Sequence, residues 1–173
     1  MKYIKHSLKI LIVSMSFFSL QLNAEEQKKL PNEHEMNFYS GMFDFSDNGK
    51  RSAIIGLQHQ NENLTRKSFL GTLSPVTGAM ITADSATYFY TGVQAQYKVG
   101  KINFTPSFTP GLYEKGNGKD LGHVVEFKSE VQVSLNLFEN SELGMSYNHI
   151  SNASLGEKNP GANSYMFNFL QKF

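Results

Sequence analysis

The sequence predicts an all-β fold, an eight-stranded antiparallel transmembrane β-barrel of the outer-membrane type. Three observations support this prediction: a secretory signal at the amino end, long strands in which apolar and polar residues alternate, and an aromatic strand that closes the chain at Phe173. No apolar run after the signal is long enough for a transmembrane helix. If the mature chain spans a membrane, a closed barrel is the structure that remains.

Residues 1–24 form the predicted signal peptide. Lys2, Lys5 and Lys9 provide a positive start, an apolar run follows over 10–20, and the small-residue cleavage site ends at Ala24. Residues 25–35 are charged and lack periodicity, so they are predicted to be a flexible lead-in. The barrel domain is predicted over 36–173.

The charge balance gives no indication of a nucleic-acid partner. Removal of the signal takes away three lysines and no acids, which leaves 13 basic and 15 acidic residues and a net charge of −2. The chain has no cysteine, although an exported protein meets an oxidising compartment. Its stability must therefore come from a source other than disulfides.

Eight strands are predicted from alternation and turn signals, an even number that matches the smallest outer-membrane barrels. Their predicted bounds are 36–45, 53–60, 69–82, 86–99, 102–113, 125–137, 142–152 and 163–173. Pro75 in the third strand indicates a bulge or a rim position, and Pro106 and Pro110 are awkward for the ladder of the fifth.

The sixth predicted strand is the most informative because it alternates over about thirteen residues, which is long for a globular strand. Its polar side includes Glu126, Lys128 and Glu130, which are predicted to form a network inside the barrel rather than a site. Alternation alone also suits a secreted β-sandwich. The signal, the length of this strand and the closing aromatic strand favour the barrel in lipid.

Strand parity and chain direction place a group of polar residues near the outer rim, on the lipid-facing side. With both termini on the periplasmic side, the seventh strand runs outward, and His149 and Ser151 share a face with its apolar residues. Asn163 shares parity with the aromatic residues of the eighth strand. Polar groups that face lipid are expensive and call for a functional reason.

These residue types indicate acyl transfer. Ser151 would attack an ester carbonyl, His149 would accept its proton, and Asn163 would hold the imidazole in the correct tautomer. Backbone amides, with Asn152 and Asn159, would supply oxyanion donors. The scheme requires no metal and no cofactor. A bare H-x-S is a weak signal, and the alternative is a pair of polar rim residues.

The carboxyl-terminal stretch also resembles a known family. His149 to Ala153, followed by Asn159-Pro160-Gly161 and the aromatic strand, resembles the lipid A deacylase family typified by PagL, with a weaker likeness upstream that includes GHVVEFKSE. The resemblance implies an eight-stranded outer-membrane barrel that removes an ester-linked acyl chain from the 3-position of lipid A. It implies that Ser151 is the nucleophile, His149 the base, Asn152 and Asn159 oxyanion or positioning residues, and Phe127 a lipid-facing residue near the acyl chain.

One position departs from that family. Its best-known members place a Glu twelve residues after the serine, where this chain has Asn163. The same H-x-S-N followed by an Asn also resembles outer-membrane phospholipase A, a larger calcium-dependent barrel of twelve strands. The mature chain of 149 residues, the 173 of the precursor less the 24 of the signal, is too short for that barrel.

The expectation is therefore an outer-membrane serine esterase, exported by its signal peptide, that hydrolyses an acyl ester of lipid A in lipopolysaccharide at the outer leaflet. Its expected partners are lipid A and the surrounding outer-membrane lipid, and a homodimer is left open as its assembly state. Two alternatives remain: an esterase that uses phospholipid instead, and a structural or adhesive barrel without catalysis.

Overall fold

The computed structural model describes residues 34–173. The predicted signal peptide and the lead-in as far as residue 33 lie outside the described residues. The described chain forms nine strands and one short 3₁₀ helix, Glu62–Leu64. The strands are β1 (His34–Phe43), β2 (Ser52–Asn61), β3 (Arg66–Ser68), β4 (Gly71–Thr82), β5 (Thr87–Val99), β6 (Ile102–Glu114), β7 (Val125–Phe138), β8 (Ser141–Ser151) and β9 (Ala162–Lys172).

Eight long strands close into an antiparallel barrel. From β4 to β9 each strand pairs with the next along the chain, β2 pairs with β4 and with β1, and β1 pairs with β9. The three-residue β3 pairs only with β4 and adds a short hairpin at one end. The predicted all-β, eight-stranded antiparallel barrel is therefore confirmed. Between residues 34 and 173, no helix is long and apolar enough to cross a bilayer.

The two faces of the barrel wall have opposite chemistry. Exposed large apolar side chains cover the outside on every long strand, among them Phe38, Phe89, Val131 and Phe167. Polar side chains such as Asn37, Gln94 and Asn168 are buried inside. A secreted sandwich would bury its apolar face and expose its polar face, so this distribution excludes the sandwich and fits a barrel wall in contact with lipid.

Charged and aromatic groups fill the interior, as the sequence predicted for the sixth strand. The ammonium of Lys128 lies 3.6 Å from the Glu130 carboxylate and 4.1 Å from the centre of the Tyr90 ring. Asn148 donates to Glu130 over 3.1 Å. Glu126 is also fully buried, but its carboxyl oxygens have no hydrogen-bond partner within the described residues. The interior is thus occupied by side chains, as expected for a barrel of this size.

The bounds of the eight long strands differ from those predicted by up to two residues at each end. β1 begins at His34, so the predicted lead-in over 25–35 overlaps the barrel by two residues. The backbone of His34 exchanges two hydrogen bonds with Phe173, and this closing contact extends the strand beyond the point where alternation begins. The third predicted strand, 69–82, begins two residues later as β4, because Phe69 and Leu70 lie in the turn between β3 and β4.

The prolines occupy places where strand pairing lapses. On one side of β4, residues up to Leu73 pair with β3 and residues from Val76 onward pair with β2. Pro75 lies in the gap between these two pairings. Pro106 and Pro110 of β6 pair with β7 but have no register partner on β5. A proline has no N–H to donate, so it is tolerated at such positions.

The two ends of the barrel differ in the length of their connections. Three loops at one end are long: the first outer loop (residues 44–51), the third outer loop (residues 115–124) and the fourth outer loop (residues 152–161). At the other end the turns between β5 and β6 and between β7 and β8 have only two residues each, and the connection that carries β3 is the exception. Long loops mark the extracellular end of outer-membrane barrels. The predicted site residues lie at this end.

Candidate functional site

His149 and Asn163 face each other across neighbouring strands. They are register partners on β8 and β9, and both point outward, because Ile150 and Ser164 beside them are buried inside. The imidazole Nδ1 of His149 lies 2.8 Å from Oδ1 of Asn163. An amide oxygen only accepts, so Nδ1 donates this bond and carries the proton of a neutral imidazole. The Nε2 atom is then an acceptor and can act as a base.

Ser151 is the last residue of β8 and lies two positions beyond His149 on the same outward face. Alternate residues of a strand project to one side, so both side chains reach the same patch of the barrel surface. Within residues 34–173 the Ser151 hydroxyl makes no hydrogen bond. Its register partner is Phe127 of β7, whose ring stacks on Phe108 with centroids 6.0 Å apart. Ser151 therefore has an aromatic neighbour on the outward face of the barrel.

The chain turns sharply after Ser151. The N–H of Leu155 donates to the carbonyl of Asn152 over 3.0 Å, and the two residues between them, Ala153 and Ser154, have positive φ values of 51° and 64°. Side chains with a Cβ rarely adopt this conformation, which costs roughly 1–3 kcal/mol at each residue. The turn is retained in spite of this cost because the remainder of the loop is anchored.

Asn152 provides part of that anchor. Its side chain is completely buried, and its Nδ2 group donates to the carbonyls of Leu121 and Lys158, each over 2.8 Å. Its backbone N–H donates to Oδ1 of Asn159 over 3.1 Å. These contacts occupy the Asn152 donors, so in this geometry Asn152 holds the loop. Asn159 is exposed and its orientation is set by the Oδ1 contact, which leaves its Nδ2 group as a positioned donor.

The third and fourth outer loops are also joined by charge. Lys158 donates to Asp120 over 2.9 Å, and the backbone N–H of Gly122 donates to the other oxygen of that carboxylate. The Lys158 hydrogen bond and the Gly122 N–H lower the pKa of Asp120 to about 2. Asp120 is exposed, so this ion pair orients the loops more than it stabilises them. Together with Asn152 it keeps the segment after Ser151 in place.

Gly161 packs directly against His149, a contact that the sequence did not indicate. A methyl group at Gly161 would lie 2.8 Å from Cε1 of the imidazole and 3.3 Å from Nε2. Gly161 also has a φ of +62°, a conformation that glycine adopts without strain. The Asn159-Pro160-Gly161 motif was noted as part of the family resemblance, and in the structure its glycine packs against the ring of His149.

Further residues hold Asn163, and none of them was singled out from the sequence. Tyr147 on β8 donates from its hydroxyl to Oδ1 of Asn163 over 2.8 Å, and Nδ2 of Asn163 donates to Ser46 over 3.2 Å. The backbone N–H of Phe45 also donates to the carbonyl of Asn163. The backbone N–H of Asn163 donates to the Asp44 carboxylate. The sequence pointed to Tyr147 only in that it lies two positions before His149, on the same face of the strand. Asp44 and Ser46 lie more than a hundred residues away along the chain.

Asp44 is buried beside the third outer loop. Its carboxylate forms an ion pair with Lys119 over 2.5 Å, and Lys119 also lies 3.4 Å from Asp47. The backbone N–H of Gly49 and the ammonium of Lys119 hold the pKa of Asp47 below its usual value. Three outer loops thus converge around Asn163, His149 and Ser151.

The arrangement joins an imidazole with a free Nε2, a hydroxyl on the same face and an amide donor nearby. This combination suits acyl transfer, which needs a base, a nucleophile and stabilisation of an oxyanion. Over the part of the chain that the structure describes, no three His, Cys, Asp or Glu side chains are grouped so that they could hold a metal ion.

Comparisons with known proteins agree with the fold. The model of the family described as lipid A 3-O-deacylase (PagL) matches residues 55–170. The crystal structure of the outer membrane enzyme PagL is similar in fold, with a TM-score of 0.58 and 17% identity over 79% of this chain and 98% of that chain. A de novo designed transmembrane β-barrel is similar with a TM-score of 0.54 and 12% identity, over 86% of this chain and 100% of that one. No curated protein sequence matches.

Proposed function

Because the chain belongs to the PagL family of lipid A 3-O-deacylases, we propose that it removes the 3-O-linked acyl chain of lipid A as a serine esterase. Ser151 is the nucleophile, His149 the general base and Asn163 the residue that orients the imidazole. The protein is a barrel of the outer membrane, and residues 1–24 are the signal peptide that directs its export.

The first half of the reaction forms an acyl-enzyme. The Oγ atom of Ser151 attacks the ester carbonyl while Nε2 of His149 takes the hydroxyl proton. The tetrahedral intermediate collapses with cleavage of the bond to the sugar oxygen, and His149 returns the proton to that oxygen. The products are the 3-hydroxyl of the sugar and an acyl ester on Ser151.

Water completes the cycle. His149 accepts a proton from a water molecule that attacks the acyl ester, and it then returns a proton to Oγ of Ser151 as the fatty acid leaves. Negative charge develops on the carbonyl oxygen in both halves. The Nδ2 group of Asn159, positioned by its bond to the backbone of Asn152, is a donor for that oxygen.

The observation that carries this proposal is the 2.8 Å hydrogen bond from Nδ1 of His149 to Asn163 on an outward face of the barrel. It leaves Nε2 as an acceptor on the outward face of β8, which His149 shares with Ser151. Two polar residues with only a structural role at the rim would not need this degree of order. Here Asn163 orients the histidine, and Tyr147 and Ser46 in turn hold the amide of Asn163. This degree of organisation is expected where the geometry of a base matters.

The position of the site suits an amphiphilic ester. Ser151 opens toward lipid beside the stacked rings of Phe127 and Phe108, an apolar surface for an acyl chain. The outer loops provide polar groups just above it, at the level where sugars and phosphates of lipopolysaccharide lie. The substrate can therefore reach the nucleophile from the outer leaflet without leaving the membrane.

We expect cells that express the protein in their outer membrane to contain lipid A that has lost one 3-hydroxyacyl chain, as measured by mass spectrometry. Purified phospholipid vesicles incubated with the refolded protein should release no fatty acid. Release from phospholipid with unchanged lipid A would instead identify a phospholipase. Unchanged lipids of both classes, with the folded barrel present, would favour a barrel without catalysis.

Replacing Asn163 by Glu tests the departure from the family pattern. A carboxylate accepts a hydrogen bond from Nδ1 as the amide does, and it also offsets the charge of the imidazolium that forms. We expect Asn163→Glu to deacylate lipid A at a rate equal to that of the wild type or up to roughly tenfold higher. Asn163→Ala is the comparison and should be slower than both. If Asn163→Glu were slower than the wild type, the amide would be specifically fitted to this site.

A further inference from the structure

Two side chains, Asn163 and Ser46, connect His149 to the buried carboxylate of Asp44. Oδ1 of Asn163 accepts from His149 over 2.8 Å, Nδ2 of Asn163 lies 3.2 Å from Oγ of Ser46, and that Oγ lies 3.3 Å from Oδ1 of Asp44. The chain of atoms leads from the imidazole on the lipid-facing wall to the base of the first outer loop. It ends at Asp44, whose other carboxylate oxygen is in the ion pair with Lys119.

The carboxylate sets the direction of every hydrogen bond in this chain. A carboxylate in an ion pair has no proton to donate, so Ser46 must donate its single hydroxyl proton to Asp44. The Ser46 oxygen then accepts from its other neighbour, which requires the NH₂ group of Asn163 to face it. The amide oxygen of Asn163 consequently faces His149, and His149 must place its proton on Nδ1.

Without Asp44 the same side chains permit the opposite arrangement. A hydroxyl and a neutral imidazole can each donate or accept, and an asparagine amide can exchange the positions of its oxygen and nitrogen by a half turn. Tyr147 does not remove this freedom, because its hydroxyl can also accept. The reversed amide would present NH₂ to Nδ1 and leave the imidazole proton on Nε2. That tautomer cannot accept the proton of Ser151.

We propose that Asp44 is a positioning residue of the esterase site, which selects the Nδ1-protonated tautomer of His149 through Ser46 and Asn163. This inference rests on the proposed function for its consequence in catalysis. A carboxylate directly on the histidine selects the tautomer by itself, whereas the amide of Asn163 needs a neighbour that determines which way it points. Asp44 and Ser46 determine which end of the Asn163 amide faces His149.

The tautomer can be measured directly. Nitrogen-15 NMR of histidine-labelled protein, refolded in detergent and held at a pH where imidazole is neutral, distinguishes a proton on Nδ1 from one on Nε2. A His149→Gln sample identifies the signals of this ring. We expect the wild type to hold the proton on Nδ1, and Asp44→Asn and Ser46→Ala to show a population with the proton on Nε2.

Asp47→Asn is the matched control. Asp47 lies in the same loop, contacts the same lysine over 3.4 Å and loses the same charge, but it is not part of the chain to His149. Its spectrum should equal that of the wild type. Ser46 is exposed, so Ser46→Ala tests the chain even if Asp44→Asn fails to fold, with heat-modifiable gel mobility as the check of folding. An unchanged Nδ1 proton in folded Ser46→Ala would overturn the inference.

Kinetics should agree with the spectra. We expect Asp44→Asn and Ser46→Ala to lower kcat for lipid A by about tenfold or more with little change in KM, because a wrong tautomer removes the base without weakening binding. Adding Asn163→Glu to either variant should restore kcat, because a carboxylate on the histidine makes Asp44 unnecessary. A loss of kcat that Asn163→Glu fails to restore would also count against the inference.

The two proposals fail in different ways. Activity that survives in Ser151→Ala would refute the serine mechanism, yet the NMR measurement would still show whether Asp44 selects the tautomer. Conversely, an Nδ1 proton that is indifferent to Asp44 and Ser46 would refute the inference while leaving the serine esterase intact.

Discussion

Ser151→Ala is expected to abolish deacylation of lipid A, with a loss of rate on the order of 10⁴-fold or more. The reason is that the proposed reaction passes through an ester on Oγ of Ser151, and alanine has no atom that can form it. The side chain is on the outward face and its hydroxyl makes no hydrogen bond within residues 34–173. The substitution should therefore leave the barrel and its thermal stability unchanged.

The measurement is mass spectrometry of lipid A from cells that express each variant at equal levels in the outer membrane. Ser154→Ala is the matched control, because Ser154 is an exposed serine of the same turn that the mechanism does not use. Loss of the 3-hydroxyacyl chain should occur with the wild type and Ser154→Ala and should be absent with Ser151→Ala. Equal deacylation by Ser151→Ala would show that Ser151 is not the nucleophile.

Gly161→Ala is expected to lower kcat/KM for lipid A by roughly a hundredfold, since a displacement of a reacting group by about 1 Å can have an effect of this size. The added methyl group would meet Cε1 of His149 at 2.8 Å and would displace the ring from its observed position, together with the Nε2 atom that the proposed mechanism uses as the base. The positive φ of Gly161 adds strain of about 1–2 kcal/mol for any residue with a Cβ.

Gly100→Ala separates the two effects. Gly100 has a φ of +63°, almost the same as Gly161, and a methyl group there would meet nothing within 4 Å. It lies in the turn between β5 and β6, at the opposite end of the barrel. We expect both variants to lose similar thermal stability and only Gly161→Ala to lose activity. Similar activities in the two variants would show that Gly161 has no role in placing His149.

Local sequence patterns were sufficient to predict the barrel and the side of its wall that faces lipid. Alternation has a period of two residues along a strand, so the sequence itself states which residues share a face. The eight long strands were identified in this way, and the sixth, predicted over 125–137, is observed as Val125–Phe138. The errors lie at strand ends, such as His34, where pairing with a distant strand decides the boundary.

The candidate site was predicted only in part, for a related reason. His149, Ser151 and Asn163 lie on two adjacent strands joined by one loop, so parity and chain direction were enough to place them together. Asn152 was expected at the site for its donors, but the structure buries its side chain beneath the third outer loop. Residue type and resemblance could not distinguish an amide that faces the substrate from one that holds a loop.

The sequence by itself determined the class of fold, through the signal, the strand lengths and the alternation, and it determined the outward face of each strand through parity. It also placed the histidine, the serine and the asparagine on the outward face of two adjacent strands at the rim. Only the tertiary structure decided how these residues are held. Gly161 against the imidazole, and Asp44 and Ser46 behind Asn163, depend on where separate outer loops pack. Asp44 and Ser46 lie more than a hundred residues before Asn163, and no periodicity along the chain records contacts between separate loops.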